Sequence, residues 1–262
     1  MSDTLDLQSL DDAGRAALAR LIITLADSKR LMGIRYSDWL LGAPSIETGI
    51  STSSMTQDEW GHARLLYAML KNLDVDPKPV EYDRAGDEFA SVAPLDEEFP
   101  DWAAVVAAMV LVDGGISSML RSFAGGNFEP ARNRVPKMLA EEEFHGSLGR
   151  AWYRRLAASG GEALECLTAA TETMVPPMLA WVGADDAASQ ALAAAGVIEA
   201  GAARVGAFKH EVRELVELVG MDIDSVSPSA EWDEARGRTS GRPNEESVGR
   251  ARGDLNRALL VE

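Results

Sequence analysis

Apolar residues recur at helical spacing along most of the chain. In the N-terminal segment, the positions that share this spacing are Leu18, Leu21, Ile22, Leu25 and Met32. They predict a helix from about Asp11 to Leu41. Gly42 then marks a stop and Ser45 an N-cap, so we expect a second helix that ends near Leu73.

Residues 76–100 hold four prolines and predict a long crossover connection. Beyond it, helical patterns cover Asp101 to about Phe123, Pro130 to Ala158 with a kink or restart at Pro136, 162–182 with an interruption at Pro176-Pro177, and 186–219. After Asp222 the chain is polar and irregular, with a short closing helix from about Glu245. No useful length alternates with period two, so we expect essentially no sheet.

Composition narrows the class of protein. The formal net charge of −17 argues against nucleic acid as a partner, because phosphate contacts need clustered lysine and arginine. No apolar run approaches the roughly 20 residues that cross a bilayer, so we expect no membrane association. The acidic N-terminus lacks the features of a secretory signal, and the one cysteine, Cys166, excludes an intrachain disulfide. These features favour the cytoplasm.

Two of the three histidines stand in Glu-x-x-His runs, Glu59 to His62 and Glu142 to His145. On a helix, residues three apart project from the same face, so each run offers a carboxylate and an imidazole to one point. Two such motifs, with one carboxylate from each of two other helices, build an iron or manganese site in a helical bundle. The alternative is that both runs lie on solvated helix surfaces.

Asp113 offers a carboxylate from the third helix. It lies in the apolar stretch AMVLVDGGI, where a charge is costly unless it is paired or binds a metal. At about 1.5 Å per residue, Asp113 lies about 18 Å from the turn near Gly125, and Glu142 about 17 Å from Ala131. Asp113 and Glu142 are therefore predicted to lie at one level of an antiparallel pair. A satisfied core aspartate without metal is the alternative.

The first helix lacks the carboxylate that would complete the site. The same spacing places Lys29 near the required position, where its ammonium would repel divalent metal ions and could instead pair with Glu59 or Glu142. Asp27 lies about 200° around the helix from Lys29, and Asp38 lies more than two turns away, so both are poor substitutes. The candidate metal ligands are Glu59, His62, Asp113, Glu142 and His145, and the candidate catalytic residues are Glu59, Glu142 and Lys29.

These patterns together predict an all-α protein, a ferritin-like four-helix bundle with additional C-terminal helices. We divide the chain into a ferritin-like helical domain, residues 1–222, and a polar C-terminal extension, residues 223–262. The extension is expected to pack on the bundle or to trail from it.

The chain resembles the subunits of phenylacetyl-CoA epoxidase (phenylacetate-CoA oxygenase), in particular the di-iron catalytic subunit. The matching stretches are QDEWGH (Gln57 to His62), LVDGG (Leu111 to Gly115) and EEEFH (Glu141 to His145), with weaker matches at MVPPMLAWVGADD (Met174 to Asp186) and LVGMDI (Leu218 to Ile223). The segment YSDWLLGAP (Tyr36 to Pro44) is closer to the family's structural subunit, which has lost its iron ligands.

The resemblance implies an oxygenase subunit that oxidises an aromatic acyl-CoA with O2, together with other oxygenase subunits and a reductase. The five candidate ligands match ligand positions of the family, whereas Lys29 stands where the catalytic subunit has a glutamate. Two iron ions are expected if the site is intact, and one or none if Lys29 blocks the second. A metal-dependent oxygenase, a scaffold subunit whose Lys29 replaces a ligand, and an iron-storage protein all stay open, each as a homo- or hetero-oligomer.

Overall fold

The protein is described by a computed structural model that covers residues 4–259. In chain order its α-helices are α1 (Asp12–Asp38), α2 (Ile46–Tyr67), α3 (Pro77–Tyr82), α4 (Trp102–Ala108), α5 (Gly114–Gly125), α6 (Glu129–Ser159), α7 (Gly161–Val182), α8 (Ala187–Ala194), α9 (Gly201–Val216) and α10 (Glu245–Arg252). A π-helical turn, Met109–Asp113, joins α4 to α5. Short 3-10 helices cover Leu7–Ser9, Ala68–Leu73, Gly86–Glu88, Ala93–Leu95, Glu217–Val219 and Asp254–Leu259.

The all-α prediction is confirmed, and the fold is consistent with a ferritin-like bundle. Within residues 4–259 the β pairing amounts to one isolated bridge between Asp233 and Arg238. The bundle consists of two close helix pairs, α1 with α2 and α5 with α6, and α7 packs against α4 and α6. Because α1 is buried along most of its length, its side chains face the middle of the bundle.

Side-chain caps fix where α1, α2 and α4 begin. Asp11 accepts a hydrogen bond from the backbone N–H of Gly14 at 2.8 Å, which begins α1 as predicted. Ser45 accepts one from Thr48 and begins α2, also as predicted. Asp101 plays the same role for α4, at 2.8 Å from the backbone nitrogen of Ala104.

Proline does not divide the helices where the sequence predicted a restart or an interruption. α6 runs through Pro136, and α7 runs through Pro176 and Pro177. A proline in a helix leaves the carbonyl four residues earlier without its N–H donor. Those carbonyls belong to Arg132, Glu172 and Thr173, which are exposed residues, so water can satisfy them and the helices continue.

The helix predicted over residues 186–219 is instead two helices, α8 and α9, with a break between them. Gly196 adopts a left-handed φ of 71°, and the backbone N–H of Val197 returns to the carbonyl of Leu192 at 2.9 Å. This is the glycine C-cap that ends many helices. Arg204 holds the break in place, since its buried guanidinium donates to the carbonyls of Val182, Glu199 and Ala184.

The polar segment after Asp222 packs on the bundle. Arg238 is fully buried and pairs with Asp96 of the crossover connection. Arg30 of α1 donates to the carbonyl of Ala251 at 2.6 Å, so α10, the predicted closing helix, is attached to α1. The division at residue 222 stays a prediction, and residues 1–3 and 260–262 of its two parts lie outside the described residues.

One helical segment is more apolar than the sequence analysis expected. An 18-residue window within Trp102–Gly125 has a mean hydropathy of 1.9 and the helical stretch is long enough to cross a membrane, so the prediction that no apolar run approaches that length is wrong. However, 94% of this window is buried inside the protein. The segment is therefore a core helix whose apolar side chains face other helices.

A buried cluster of lysine, carboxylates and histidines

Lys29 lies at the centre of the predicted site. Its Nζ atom donates to Glu59 Oε1 at 3.0 Å, Asp113 Oδ1 at 2.6 Å and Glu142 Oε1 at 2.5 Å. The Lys29 and Glu59 side chains are wholly inaccessible to solvent, and the other two are nearly so. An ammonium has three N–H donors, and here each one meets a different carboxylate from a different helical segment.

These contacts confirm the prediction that Asp113 and Glu142 lie at one level of the bundle, since both contact Lys29 Nζ. Lys29 projects from α1, Glu59 from α2, Asp113 from the π-helical turn and Glu142 from α6. The π-helical turn was not predicted, and π turns within α-helices occur often at functional sites. Asp113 is its last residue.

Each of the two histidines lies between two sets of carboxylates. The inner carboxylates are the three that contact Lys29, and the outer carboxylates, Asp58 and Glu141, lie nearer the surface. His62 Nδ1 is 2.9 Å from Glu142, and His62 Nε2 is 2.8 Å from Glu141. His145 Nδ1 is 3.3 Å from both Glu59 and Asp113, and its Nε2 is 3.3 Å from Asp58. Each imidazole therefore bridges the buried cluster to an acid at the surface.

The outer carboxylates were missed by the sequence analysis. Asp58 and Glu141 directly precede Glu59 and Glu142, and each contacts the histidine of the opposite motif. Residues one apart on a helix point in different directions, so a pattern of shared faces does not find them. The signal in the sequence is that an acid directly precedes the glutamate of each motif, in DEWGH (Asp58 to His62) and EEEFH (Glu141 to His145).

Two hydroxyl groups complete the cluster and were also missed. Tyr36 donates to Asp113 Oδ2 at 2.8 Å, and Ser117 donates to Glu142 Oε2 at 3.0 Å. Tyr36 lies two turns after Lys29 on α1, and Ser117 lies one turn after Asp113, so helical spacing could have indicated both. Burial, together with the nearby carboxylates, raises the pKa of Tyr36 well above its usual value, which keeps this phenol a donor.

The carboxylates of the cluster favour the protonated, positively charged forms of Lys29 and His145. Burial alone would lower the pKa of Lys29, but the surrounding carboxylates, Asp113 first, raise it above its ordinary value. His145 behaves in the same way, since burial opposes its charge but hydrogen bonds to Asp113, Glu142 and Glu59 raise its pKa. The ammonium is therefore held protonated in the middle of the cluster.

The three inner carboxyl groups are not equivalent. Burial acts to raise the pKa of Glu142, but Lys29 and the two imidazoles hold it well below its usual value. Burial also raises the pKa of Glu59, here with Asp113 adding to the effect, and brings it to about 7. Glu59 lies farthest from the ammonium, and its Oε2 has no hydrogen-bond partner within the described residues.

Part of this cluster could hold a metal ion. One ligand atom each of Glu59, Asp113, Glu142 and His145 lies within 4.8 Å of the others; His62 is not in this set. The point that is common to the three carboxylates is, however, the point that Lys29 Nζ contacts. An ion there would have to displace the ammonium, because two cations cannot share one ring of three acids without strong repulsion. With Lys29 in place, the residues fit an ammonium and do not fit a metal.

Comparison with known protein families identifies the family of the chain. The sequence model of a family described as "Phenylacetic acid catabolic protein" matches residues 1–246 of the chain. No curated protein matches the sequence. The match covers more than half of the chain, so the protein belongs to the phenylacetic acid catabolic protein family.

Proposed function

We propose that this member of the phenylacetic acid catabolic protein family is a non-catalytic structural subunit of an oxygenase complex that oxidises an aromatic acyl-CoA. The bundle would keep the shape of an iron-bearing subunit, with Lys29 in the place of the metal. Its partners would be a catalytic subunit that retains its irons, and a reductase. The proposed location is the cytoplasm.

The contacts of Lys29 carry this proposal. Three buried carboxylates would repel one another strongly in a medium of low dielectric constant. In a metal-bearing bundle the metal ions supply the compensating charge, whereas here the ammonium contacts all three acids at 2.5 to 3.0 Å. The two imidazoles add hydrogen-bond donors on either side. The cluster is thus balanced by the chain's own side chains.

The space beside the cluster gives independent support. A cavity of about 50 Å³ touches Asp113, Ser117 and Glu142. A cavity of about 150 Å³ is known to bind benzene in an engineered protein, so this one is too small for an aromatic ring. An aromatic acyl group would have no room next to the carboxylates.

Metal analysis of the purified chain tests the proposal. After expression in iron-supplemented cells, we expect the wild-type protein to hold far less than one iron per chain and the Lys29→Glu variant to gain metal, because the variant restores the missing carboxylate. Lys71→Glu is the matched control, since Lys71 is exposed on the 3-10 helix that follows α2 and its replacement should leave the metal content unchanged. If Lys29→Glu gains no metal, Lys29 does not substitute for an ion.

An oxygenase subunit is the second candidate, and the grouping of Glu59, Asp113, Glu142 and His145 favours it. In that case iron would supply the oxidising chemistry, while these residues would hold the ion after Lys29 had withdrawn. A wild-type chain that binds iron stoichiometrically and consumes oxygen with an acyl-CoA would establish this candidate and refute the structural role.

A further inference from the structure

An open cleft of about 410 Å³ is lined by residues of α1, α2 and α10. The residues that α2 contributes share one face of the helix: Gln57, Trp60, Gly61 and Arg64. Arg30 of α1 and Arg250 of α10 also line it. Lys29 and Glu59 directly precede Arg30 and Trp60 but point into the bundle, so the cleft and the buried cluster lie on different faces of the same two helices.

The cleft is basic although the chain carries a net charge of −17. Among the residues that the structure describes, no acidic side chain lines it. Arg250 pairs with Asp38 at 2.6 Å and Arg30 with Glu81 at 3.4 Å, whereas Arg64 forms no ion pair within residues 4–259. At least one positive charge of the lining, that of Arg64, is therefore left for an anion from outside the chain.

The other two guanidinium groups are fixed before any ligand arrives. Arg30 donates through two N–H groups to the carbonyl of Ala251 at 2.6 and 2.9 Å, and its guanidinium lies 5.9 Å from the centre of the Tyr82 ring. Arg250 donates to the Ser37 hydroxyl at 3.0 Å. Arginine has five N–H donors, so both side chains retain donors beyond these contacts. Groups that are already ordered lose less conformational entropy when a ligand binds.

The rest of the lining suits an aromatic ring. The Trp60 indole is partly exposed and lies against Gly33 of α1, where an added Cβ would stand 2.5 Å from the ring. Glycine at this position therefore lets the indole lie close to α1. Ile34 adds an aliphatic surface, and Gly61 leaves space on the α2 side, because a Cβ added there would meet no atom within 4 Å.

We propose that this cleft binds a small aromatic carboxylate. The carboxylate would meet Arg64, since arginine can hold a carboxylate through two parallel hydrogen bonds, and the ring would contact Trp60 and Ile34. A monoanion suits the one unpaired guanidinium, and the volume lies within the range of small-molecule sites. Arg250 lies beyond residue 246, where the family match ends, so membership of the family does not itself assign this site.

Calorimetric titration of the full chain with benzoate tests the ligand class. We expect one benzoate per chain. Benzamide has the same shape without the charge, and acetate has the charge without the ring, so each should bind at least about tenfold more weakly, equivalent to 1.4 kcal/mol. A wild-type chain that does not bind benzoate, or that binds benzamide equally well, overturns the proposal.

Arg64→Gln tests the charge. The side chain is exposed and has no partner in its own chain, so the variant should fold normally and bind benzoate about tenfold more weakly or worse. Arg64→Lys should lie between the two, because an ammonium keeps the charge but not the paired hydrogen bonds. Arg154→Gln is the matched control, since Arg154 is an exposed arginine of α6. Equal binding by the Arg64→Gln and Arg154→Gln variants contradicts the assignment to this cleft.

Gly61→Leu tests the space without changing any charge. A leucine has room in its own chain and favours the helix, but its side chain would occupy the cleft that Gly61 lines, so benzoate binding should be lost. Gly206→Leu is the control, because Gly206 is an exposed glycine of α9 where an added Cβ also meets nothing within 4 Å. Lys29→Glu should bind benzoate as the wild type does, which separates this test from the metal analysis. Benzoate binding that survives Gly61→Leu overturns the proposal.

Discussion

Asp27 and Lys29 lie two residues apart on α1, and each is the centre of a different kind of buried charge cluster. The Asp27 carboxylate accepts hydrogen bonds from Arg84 at 2.5 and 2.9 Å, from Tyr67 at 2.5 Å and from the backbone N–H of Ala90 at 2.7 Å. This cluster has one acid and one base. Around Lys29, by contrast, three carboxylates share one ammonium.

This difference in charge gives the two clusters different roles. The Asp27 cluster stabilises the fold, and the Lys29 cluster has the charge pattern of a cation site. The Asp27 cluster ties α1 to the crossover connection, and its bidentate arginine pair is geometrically matched. The Lys29 cluster has more acid than one monovalent cation balances, and it needs two imidazoles in addition. Such an excess of acid is suited to a multivalent ion, so the Lys29 site has side chains that could hold a metal ion, with an ammonium among them.

Of the variants that distinguish the two clusters, Lys29→Met should lower the free energy of unfolding most. The variant leaves Glu59, Asp113 and Glu142 without their ammonium, and the loss of one partner from a buried ion pair costs about 3–5 kcal/mol. Urea unfolding at neutral pH should show this decrease in the free energy of unfolding, and at pH 5 the decrease should be smaller because protonation relieves the repulsion. The control Lys71→Met, at an exposed lysine, should change little, and an equally small effect at Lys29 would mean that the carboxylates are already neutral.

Asp27→Asn should have the next largest effect. It removes the charge partner of Arg84, which costs about 3 kcal/mol, towards the lower end of the range because the Arg84 side chain is partly exposed and can reach water. Hydrogen exchange should also become faster at the amide of Ala90, which donates to Asp27. Unchanged exchange at that amide would indicate that the crossover connection is held by other contacts.

The free energy of unfolding should depend on pH through Glu59 of the Lys29 cluster, with an effect of intermediate size. Burial raises the pKa of Glu59 from 4.5 to about 7 in the folded protein. Between these values the folded state binds more protons than the unfolded state, so the free energy of unfolding falls as pH rises, by up to about 1.4 kcal/mol per pH unit for one proton. Below about pH 6, where the histidines are largely protonated in both states, Glu59→Gln should remove this slope and Glu162→Gln should retain it. A slope that survives Glu59→Gln would assign the proton to another group.

Glu141→Gln should have the smallest effect. Glu141 is partly exposed and contacts His62 from the surface, and exposed ion pairs contribute at most about 1 kcal/mol. The nitrogen chemical shifts of the His62 ring should nevertheless change, because Nε2 loses its charged partner. A loss of several kcal/mol would show that Glu141 belongs to the buried cluster and not to its rim.

Much of the candidate site was predictable because helical spacing is a local property. The spacing of Glu59 to His62 and of Glu142 to His145 places each pair on one face, and the lengths from Asp113 and Glu142 to their common turn place these two acids at one level. The prolines led to a wrong prediction, since the sequence does not show that Arg132, Glu172 and Thr173, which lose their N–H donors, are exposed residues. Gly196 was a readable stop signal that the Ala-rich pattern around it obscured.

By itself, then, the sequence determined the helical class, the position of the two motifs and the presence of a cation where a ligand was expected. Only the tertiary structure decided that Lys29 contacts three acids at once, because that point exists only where α1, α2, the π-helical turn and α6 meet. It also decided that Asp58 and Glu141 contact the histidines from the surface. Contacts between helices depend on their packing, which a pattern along one helix does not contain.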